Sequence, residues 1–240
     1  MHGDEQCGLA AIVAIEGLQP RGTVKLIVAN PPAIDVNKRF IANDMNKCFP
    51  GREDGTDEDL LAFNVLQEVR DCEYVIDLHS CTSTEEPFAI TTRCDESNVH
   101  LARCTGLSKL VLMSDHLKQN KALIDHHPAA ISVECGIKAS AAANECAKNI
   151  VLNVLGCLGL LDRLATQSVP EQFEVFAMLK VPEHDCVVLA QNLTLVKAGQ
   201  SLAKGKTVVL CANEDCYPVL FGEESYACEG ILGLVARKIR

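Results

Sequence analysis

The 240-residue chain carries 22 Lys and Arg against 32 Asp and Glu, a formal net charge of -10. That balance excludes a nucleic-acid-binding surface, which needs clustered cations to neutralise phosphates. The length suffices for one large domain or for a domain with a small appendage. Thirteen cysteines form an odd set with no CxxC spacing, and no basic stretch followed by an apolar one precedes them. Reduced thiols in a cytoplasmic protein are therefore expected, most of them as small core residues. The most apolar stretch, Ile150 to Leu161, contains Asn153, Gly156 and Gly159 and is too short and polar to span a bilayer, so no membrane partner is expected.

Taken in chain order, apolar runs alternate with helical patterns up to about residue 165, the signature of an α/β layer architecture. The predicted strands there are Val24 to Ala29, Tyr74 to Leu78, Phe88 to Thr91, Lys109 to Leu112 and Ala130 to Glu134. Thr56-Asp57-Glu58-Asp59 reads as the aspartate variant of a capping box, opening a helix through Leu61, Val65 and Val69. Ser140 is the expected cap of a second helix, with Cys146, Ile150, Val154, Leu158 and Leu161 on one face. Val169-Pro170 is extended by its proline and marks a boundary. Beyond it Phe173 to Val181, Cys186 to Leu195, Thr207 to Cys211 and Ile231 to Arg237 read as strands, so residues 1–165 are expected to form an α/β domain and 166–240 a small β domain that packs on it.

Three groups of residues carry chemistry. His2-Gly3-Asp4-Glu5 sets a histidine and a carboxylate three positions apart, and His79 ends the apolar run from Tyr74, at the strand edge where α/β sheets bind ligands. Together they would make a zinc site with one position open for catalysis, although separately the first pair reads equally as a solvated terminus and His79 as a core histidine. Glu134 ends another strand, and an acid there is justified either as a general base beside a metal-bound water or by a salt bridge to Lys138. The segment from Asn30-Pro31-Pro32-Ala33 through Arg39 to Lys47 is dense in polar groups and reads either as a binding loop or as an ordinary solvated one. As a binding loop, its Arg39 and Lys47 could hold an anion and Asp44 could orient one of them.

These pieces, with Phe49-Pro50-Gly51, Asp77-Leu78-His79, Val133-Glu134-Cys135-Gly136 and Tyr217 through Glu223 leading to Tyr226, resemble the aspartoacylase and succinylglutamate desuccinylase family, amidohydrolase relatives of the zinc carboxypeptidases. The resemblance covers nearly the whole chain. It implies a mixed sheet flanked by helices with a small C-terminal β domain narrowing the active-site entrance. It further implies one zinc ion on His2, Glu5 and His79, Glu134 as the catalytic glutamate, and Arg39 near the scissile carbonyl. Asn46 would help to hold a substrate carboxylate, and Tyr226 would reach the substrate pocket. The activity implied is hydrolysis of a small N-acyl amino acid of the N-acetylaspartate or N-succinylglutamate type, by a chain that could form a homo-oligomer. A zinc carboxypeptidase acting on peptides and a non-catalytic metabolite-binding member are the alternatives.

Three departures from the family pattern refine these expectations. Lys47 stands where aspartoacylases usually have arginine, which keeps the charge and loses the two-pronged grip on a carboxylate. Lys121 to Ala130 holds Asp125, His126 and His127 but no counterpart of a further substrate-binding arginine. The apolar strand that normally delivers the HxxE motif is missing, so His2 is expected on a fraying terminus.

Overall fold

In the computed structural model the described residues are 1–117, 119–183 and 185–239. The elements in chain order are α1 (Cys7–Ile15), α2 (Pro31–Asp35), α3 (Asp57–Val69), β1 (Val75–Cys81), β2 (Phe88–Thr91), α4 (Glu96–Thr105), β3 (Lys109–Met113), β4 (Ala130–Ile137), α5 (Ala141–Cys157), β5 (Glu171–Lys180), β6 (Val187–Val188), β7 (Ser201–Lys204), β8 (Val209–Cys211), β9 (Tyr217–Val219), α6 (Glu224–Ala227) and β10 (Ile231–Lys238). A seven-stranded mixed sheet runs in the order β1-β4-β2-β3-β5-β10-β9, and β6, β7 and β8 form a separate antiparallel sheet. This is the expected mixed sheet flanked by helices with a small β sheet near the C-terminus. Residues after the Val169-Pro170 boundary also extend the large sheet, because β5 pairs in parallel with β3.

The helices form where the caps predict them. Thr56 accepts from the Asp59 amide while Asp59 returns the bond to the Thr56 amide, the reciprocal box that satisfies two otherwise orphaned donors. Ser140 accepts from the Ala143 amide and starts α5, which ends at Cys157, short of Leu161. The helices α1, α4 and α5 bury Ala11, Leu101, Ala147 and Ile150 against Ile131 and Val133 of β4. On another side, α3 buries Ala62, Val65 and Val69 with Phe49, Val75 and Leu123. No helix among the described residues is long and apolar enough to cross a membrane.

Three expectations are corrected. Val24 to Ala29 forms no strand: among the described residues it makes no backbone-to-backbone hydrogen bond, so it joins no sheet. Of Cys186 to Leu195 only Val187 and Val188 pair, since the chain turns through Asn192 and through Leu193 at φ 57°. The thiols are not all reduced: Cys104 of α4 and Cys157 of α5 form a disulfide where the two helices pack together, and eleven cysteines remain free.

Gly51 illustrates how tightly the loop ahead of α3 is set. It has φ +81°, and a Cβ there would lie 2.2 Å from the Phe63 nitrogen. Gly51→Ala is expected to cost about 2 kcal/mol or more, read as a lowered midpoint in thermal and urea unfolding.

Candidate metal and catalytic site

The site lies where the C-terminal ends of β1 and β4 meet the turn before α1. Parallel pairing of β1 with β4 puts His79 directly beside Glu134, so the histidine and the acid share a neighbourhood by register alone. His2 reaches them because the chain folds back at Gly3, whose amide donates to the Arg39 carbonyl at 3.3 Å. Only glycine fits there, since a Cβ would fall 2.1 Å from the Ala33 carbonyl carbon of α2. Asn30 caps α2 by accepting from the Ala33 amide, which holds that close approach in place.

Glu5 is the centre of the arrangement. Its Oε1 lies 2.8 Å from His2 Nδ1 and its Oε2 lies 2.9 Å from His79 Nδ1. Ligand atoms of the three residues all fall within 4.8 Å of one another, and all three residues are buried. His2, only 2% exposed, is thus far from the fraying terminus expected of it. Each imidazole presents its other nitrogen to a carboxylate, His2 Nε2 to Asp44 at 3.1 Å and His79 Nε2 to Asp77 at 2.8 Å. That second contact fixes the tautomer and leaves Nδ1 as the ligand atom, the usual arrangement around metal-binding histidines. The donor set therefore fits a divalent metal ion.

The electrostatics are strongly biased. Burial by itself would raise the Glu5 carboxyl, but His2 and His79 outweigh it and hold the group well below its usual range. Burial would lower His79, yet Asp77 and Glu5 hold the ring well above an ordinary histidine. Glu134 behaves differently. Burial pushes its carboxyl up to about 8, with Glu5 and Glu223 adding to the rise and His79 and Arg39 opposing it. Its Oε2 is buried without a hydrogen-bond partner. Lys138, the alternative partner for Glu134, pairs instead with Asp4 at 2.8 Å and with Glu224 at 3.8 Å.

Arg39 donates from Nε to Asp44 at 2.8 Å and from a terminal nitrogen to Glu5 at 2.9 Å, so it stands over the same centre. Asp44 accepts from that guanidinium and also caps the turn by accepting from the Asn46 amide. Asn46 Oδ1 is buried and has no partner. Lys47 is partly exposed and forms an ion pair with Glu229, which lies just beyond α6. Tyr226, in α6, has its hydroxyl pushed above the ordinary tyrosine range, by burial first and then by Glu134 and Glu223. His126 and His127 bond to the backbone carbonyls of Asn120 and Cys72 and stand apart from these residues.

Three contributing acids were not singled out from the sequence. Glu58 is fully buried and accepts from the amides of Ile41, Ala42 and Asn43 and from Asn30. Burial would raise its carboxyl, but these amides hold it low, and together they shape the loop that carries Arg39 and Asp44. Its position in a capping box disguised it as a helix-terminal charge. Asp77 precedes His79 by two in a strand, and that alternation was the available signal that both face one way. Glu223 accepts from the Thr82 amide at 2.8 Å and its hydroxyl at 3.1 Å, joining α6 to the loop after β1.

A family model described as the succinylglutamate desuccinylase/aspartoacylase catalytic domain matches residues 1–155. Solved structures match over nearly the whole chain. Murine aminoacylase 3 has a TM-score of 0.82 at 19% identity, covering 99% of this chain and 92% of its own. A succinylglutamate desuccinylase/aspartoacylase from Rhodobacter sphaeroides gives 0.79 at 17% identity, over 100% and 83%. The product-bound ectoine utilization protein EutE from Ruegeria pomeroyi gives 0.78 at 18%, over 99% and 82%. At these identities the structures show a shared fold. No curated protein matches in sequence.

Asp77→Asn should leave the fold intact and weaken divalent-metal binding about 10- to 100-fold, because the amide no longer fixes the His79 ring as a carboxylate does. Competition against a chromogenic chelator measures this, and unchanged affinity would show that Asp77 does not support the metal site.

Proposed function

Because the chain belongs to the succinylglutamate desuccinylase/aspartoacylase family, we propose that it is a zinc-dependent amidohydrolase that splits the amide bond of a small N-acyl amino acid, releasing a carboxylate and an amino acid. One observation supports this reading above the others: Glu134 carries a buried oxygen without a hydrogen-bond partner and is set beside the His2, Glu5 and His79 cluster. A purely structural acid would have its lone pairs satisfied.

His2, Glu5 and His79 would hold the zinc, one ion per chain. When bound, zinc supplies Lewis acidity to the acyl carbonyl and to the attacking water. Glu134 takes the water's proton at its carboxylate and returns it to the leaving nitrogen, so that the amine departs neutral as the carbon–nitrogen bond breaks. Arg39 faces the oxyanion that develops on the carbonyl oxygen, with Asp44 keeping its guanidinium in plane. The Asn46 side chain, unpartnered at Oδ1, turns its amide to the substrate carboxylate, and Lys47 adds charge nearby. Tyr226 stays neutral at physiological pH and can therefore donate its hydroxyl proton in a hydrogen bond.

The ion pair of Lys47 with Glu229 ties the Asn46 turn to the segment after α6, and such a strap favours a small acyl amino acid over a peptide. We place N-acetyl and N-succinyl amino acids with a second carboxylate first among candidates, in keeping with the names of the structural relatives. Residues 166–240 would act as the cap on this site. Eleven free cysteines suit a cytoplasmic setting.

The decisive variant is Glu134→Gln, which should retain stoichiometric zinc and lose at least about 100-fold in kcat on N-acyl amino acids. Near-normal turnover would remove Glu134 from the chemistry. Glu134 also predicts a pH effect on the metal-free protein. Its folded pKa of about 8 stands above the ordinary 4.5, so the folded state binds the proton more tightly than the unfolded one. Wild-type stability attributable to this group is therefore intact below about pH 4.5 and falls as pH rises toward 8. Removing the acid removes that loss, so apo Glu134→Gln should gain on apo wild type steadily from pH 5 to pH 8, by a few kcal/mol in urea unfolding.

A further inference from the structure

A second group of metal-ligating side chains, sharing no residue with His2, Glu5 and His79, sits where α4 packs on α5. It consists of His100, Cys104 and Cys157, whose candidate ligand atoms all lie within 4.8 Å of one another. His100 and Cys104 stand four residues apart on α4, so both side chains project from one face of that helix. The His100 ring already turns its Nε2 to the Cys104 sulfur at 3.6 Å. Cys157 is the last residue of α5, and the side-chain amide of Asn153, one turn before it, donates to the Thr105 carbonyl at the end of α4 at 3.2 Å. The two helix ends are thereby held side by side, and the C-terminal ends of both helix dipoles favour a cation nearby.

Cys104 and Cys157 are joined as a disulfide, and a disulfide sulfur is a poor ligand because the metal-binding form is the thiolate. The other cysteines are free, and three of them, Cys94, Cys211 and Cys228, are exposed. Exposed thiols that stay free belong to reducing conditions, under which the Cys104 and Cys157 pair also stands as two thiols. A low-molecular-weight thiol makes that change: two of its molecules are oxidised to their own disulfide while the protein's sulfur–sulfur bond breaks and each cysteine takes up a proton. The freed sulfurs part to nonbonded contact, close to the roughly 3.5–4 Å between ligand atoms around a tetrahedral zinc with bonds of about 2.0–2.3 Å. A histidine beside one thiol is ordinarily a packing contact. A second sulfur within reach turns the pair into a ligand set, and the contact of His100 with Cys104 is only part-buried, which leaves an ion a way in.

We propose that the dithiol form of this pair is a second zinc site, with Cys104 and Cys157 binding as thiolates, His100 through a ring nitrogen, and water in the fourth position. Each zinc taken up releases the two thiol protons. The donor set of two sulfurs and one imidazole suits zinc and not magnesium or calcium, which take oxygen ligands. Disulfide and metal are then alternative ties between the same two helix ends, one for oxidising and one for reducing conditions. The inference uses none of the residues of the hydrolytic reading.

The test titrates cobalt(II), a spectroscopic stand-in for zinc, into the full chain after reduction with tris(2-carboxyethyl)phosphine and removal of the phosphine by gel filtration without air. Cobalt bound to thiolate gives a sulfur-to-cobalt charge-transfer band in the near ultraviolet, which the nitrogen and oxygen donors of His2, Glu5 and His79 do not give. The reduced chain should develop that band and lose it when zinc is added, and the chain left oxidised should show none. Cys157→Ser should abolish the band, and His100→Ala should weaken cobalt binding there about tenfold or more. No band in the reduced wild type, a band of equal strength in the oxidised chain, or one that persists undiminished in Cys157→Ser overturns the proposal. Should Cys157→Ser fail to fold, His100→Ala decides: weakened binding supports the site and unchanged binding overturns it. Because the active-site cluster is silent in this band, the result stands or falls separately from the zinc hydrolase assignment.

Discussion

The carboxylate of Glu5 is the constraint on which the rest of the site depends. A buried acid with its two oxygens facing two histidines is stable only if every neighbour is held in position, because a charge taken out of water loses several kcal/mol of hydration. Each neighbour is held. His2 is fixed by Asp44, His79 by Asp77, and Arg39 bridges Glu5 to Asp44. One residue thus couples the first turn of the chain, the loop after α2 and the end of β1. The glycine at position 3 and the cap at Asn30 follow from that coupling, since the chain must pass close to α2 to bring His2 and Glu5 to the same point.

Much of this was legible in the residues themselves. The HxxE pair, the histidine and the acid on the neighbouring strand each declare themselves by type and spacing, and β1 and β4, which run on to Cys81 and Ile137, pair in the register that unites the latter two. The capping residues Thr56 and Ser140 begin helices as their side chains dictate. What remained hidden depends on tertiary contact. Glu58 sits at a helix start where acids are common, and nothing local says that it turns inward to collect three amides of a distant loop. The Cys104 and Cys157 pair is separated by 53 positions, and only the packing of α4 on α5 brings the sulfurs together. Val24 to Ala29 has the composition of a strand, but strand formation needs an adjacent edge, a property no segment carries alone.

The C-terminal segment is fastened to the loop after β1. Glu223 accepts two hydrogen bonds from Thr82, and the Glu224 amide donates to the same hydroxyl at 3.0 Å. Asn192 in turn donates to the Ser83 and Phe221 carbonyls. The loop after His79 is therefore clamped by residues more than a hundred positions later, and Tyr226 rides on that clamp. This holds Tyr226 in place on a four-residue helix: the helix is short, but its first residues are fastened to the sheet edge.

Charge balance gives the arrangement its direction. Glu5, Asp44, Asp77, Glu134 and Glu223 converge on one region in which Arg39 is the permanently charged cation that touches the cluster. A protein can tolerate such an excess in two ways: by keeping protons on some acids, or by admitting a cation. Burial pushes Glu134 up to about 8, and Asp77 and Glu5 hold His79 well above the ordinary histidine range, which is the first solution. A divalent ion between Glu5 and the two histidines would supply the second. Its charge would favour the ionised carboxylate at Glu134. A cation held there and a proton held on Glu134 would thus oppose one another, because both neutralise the same cluster of acids.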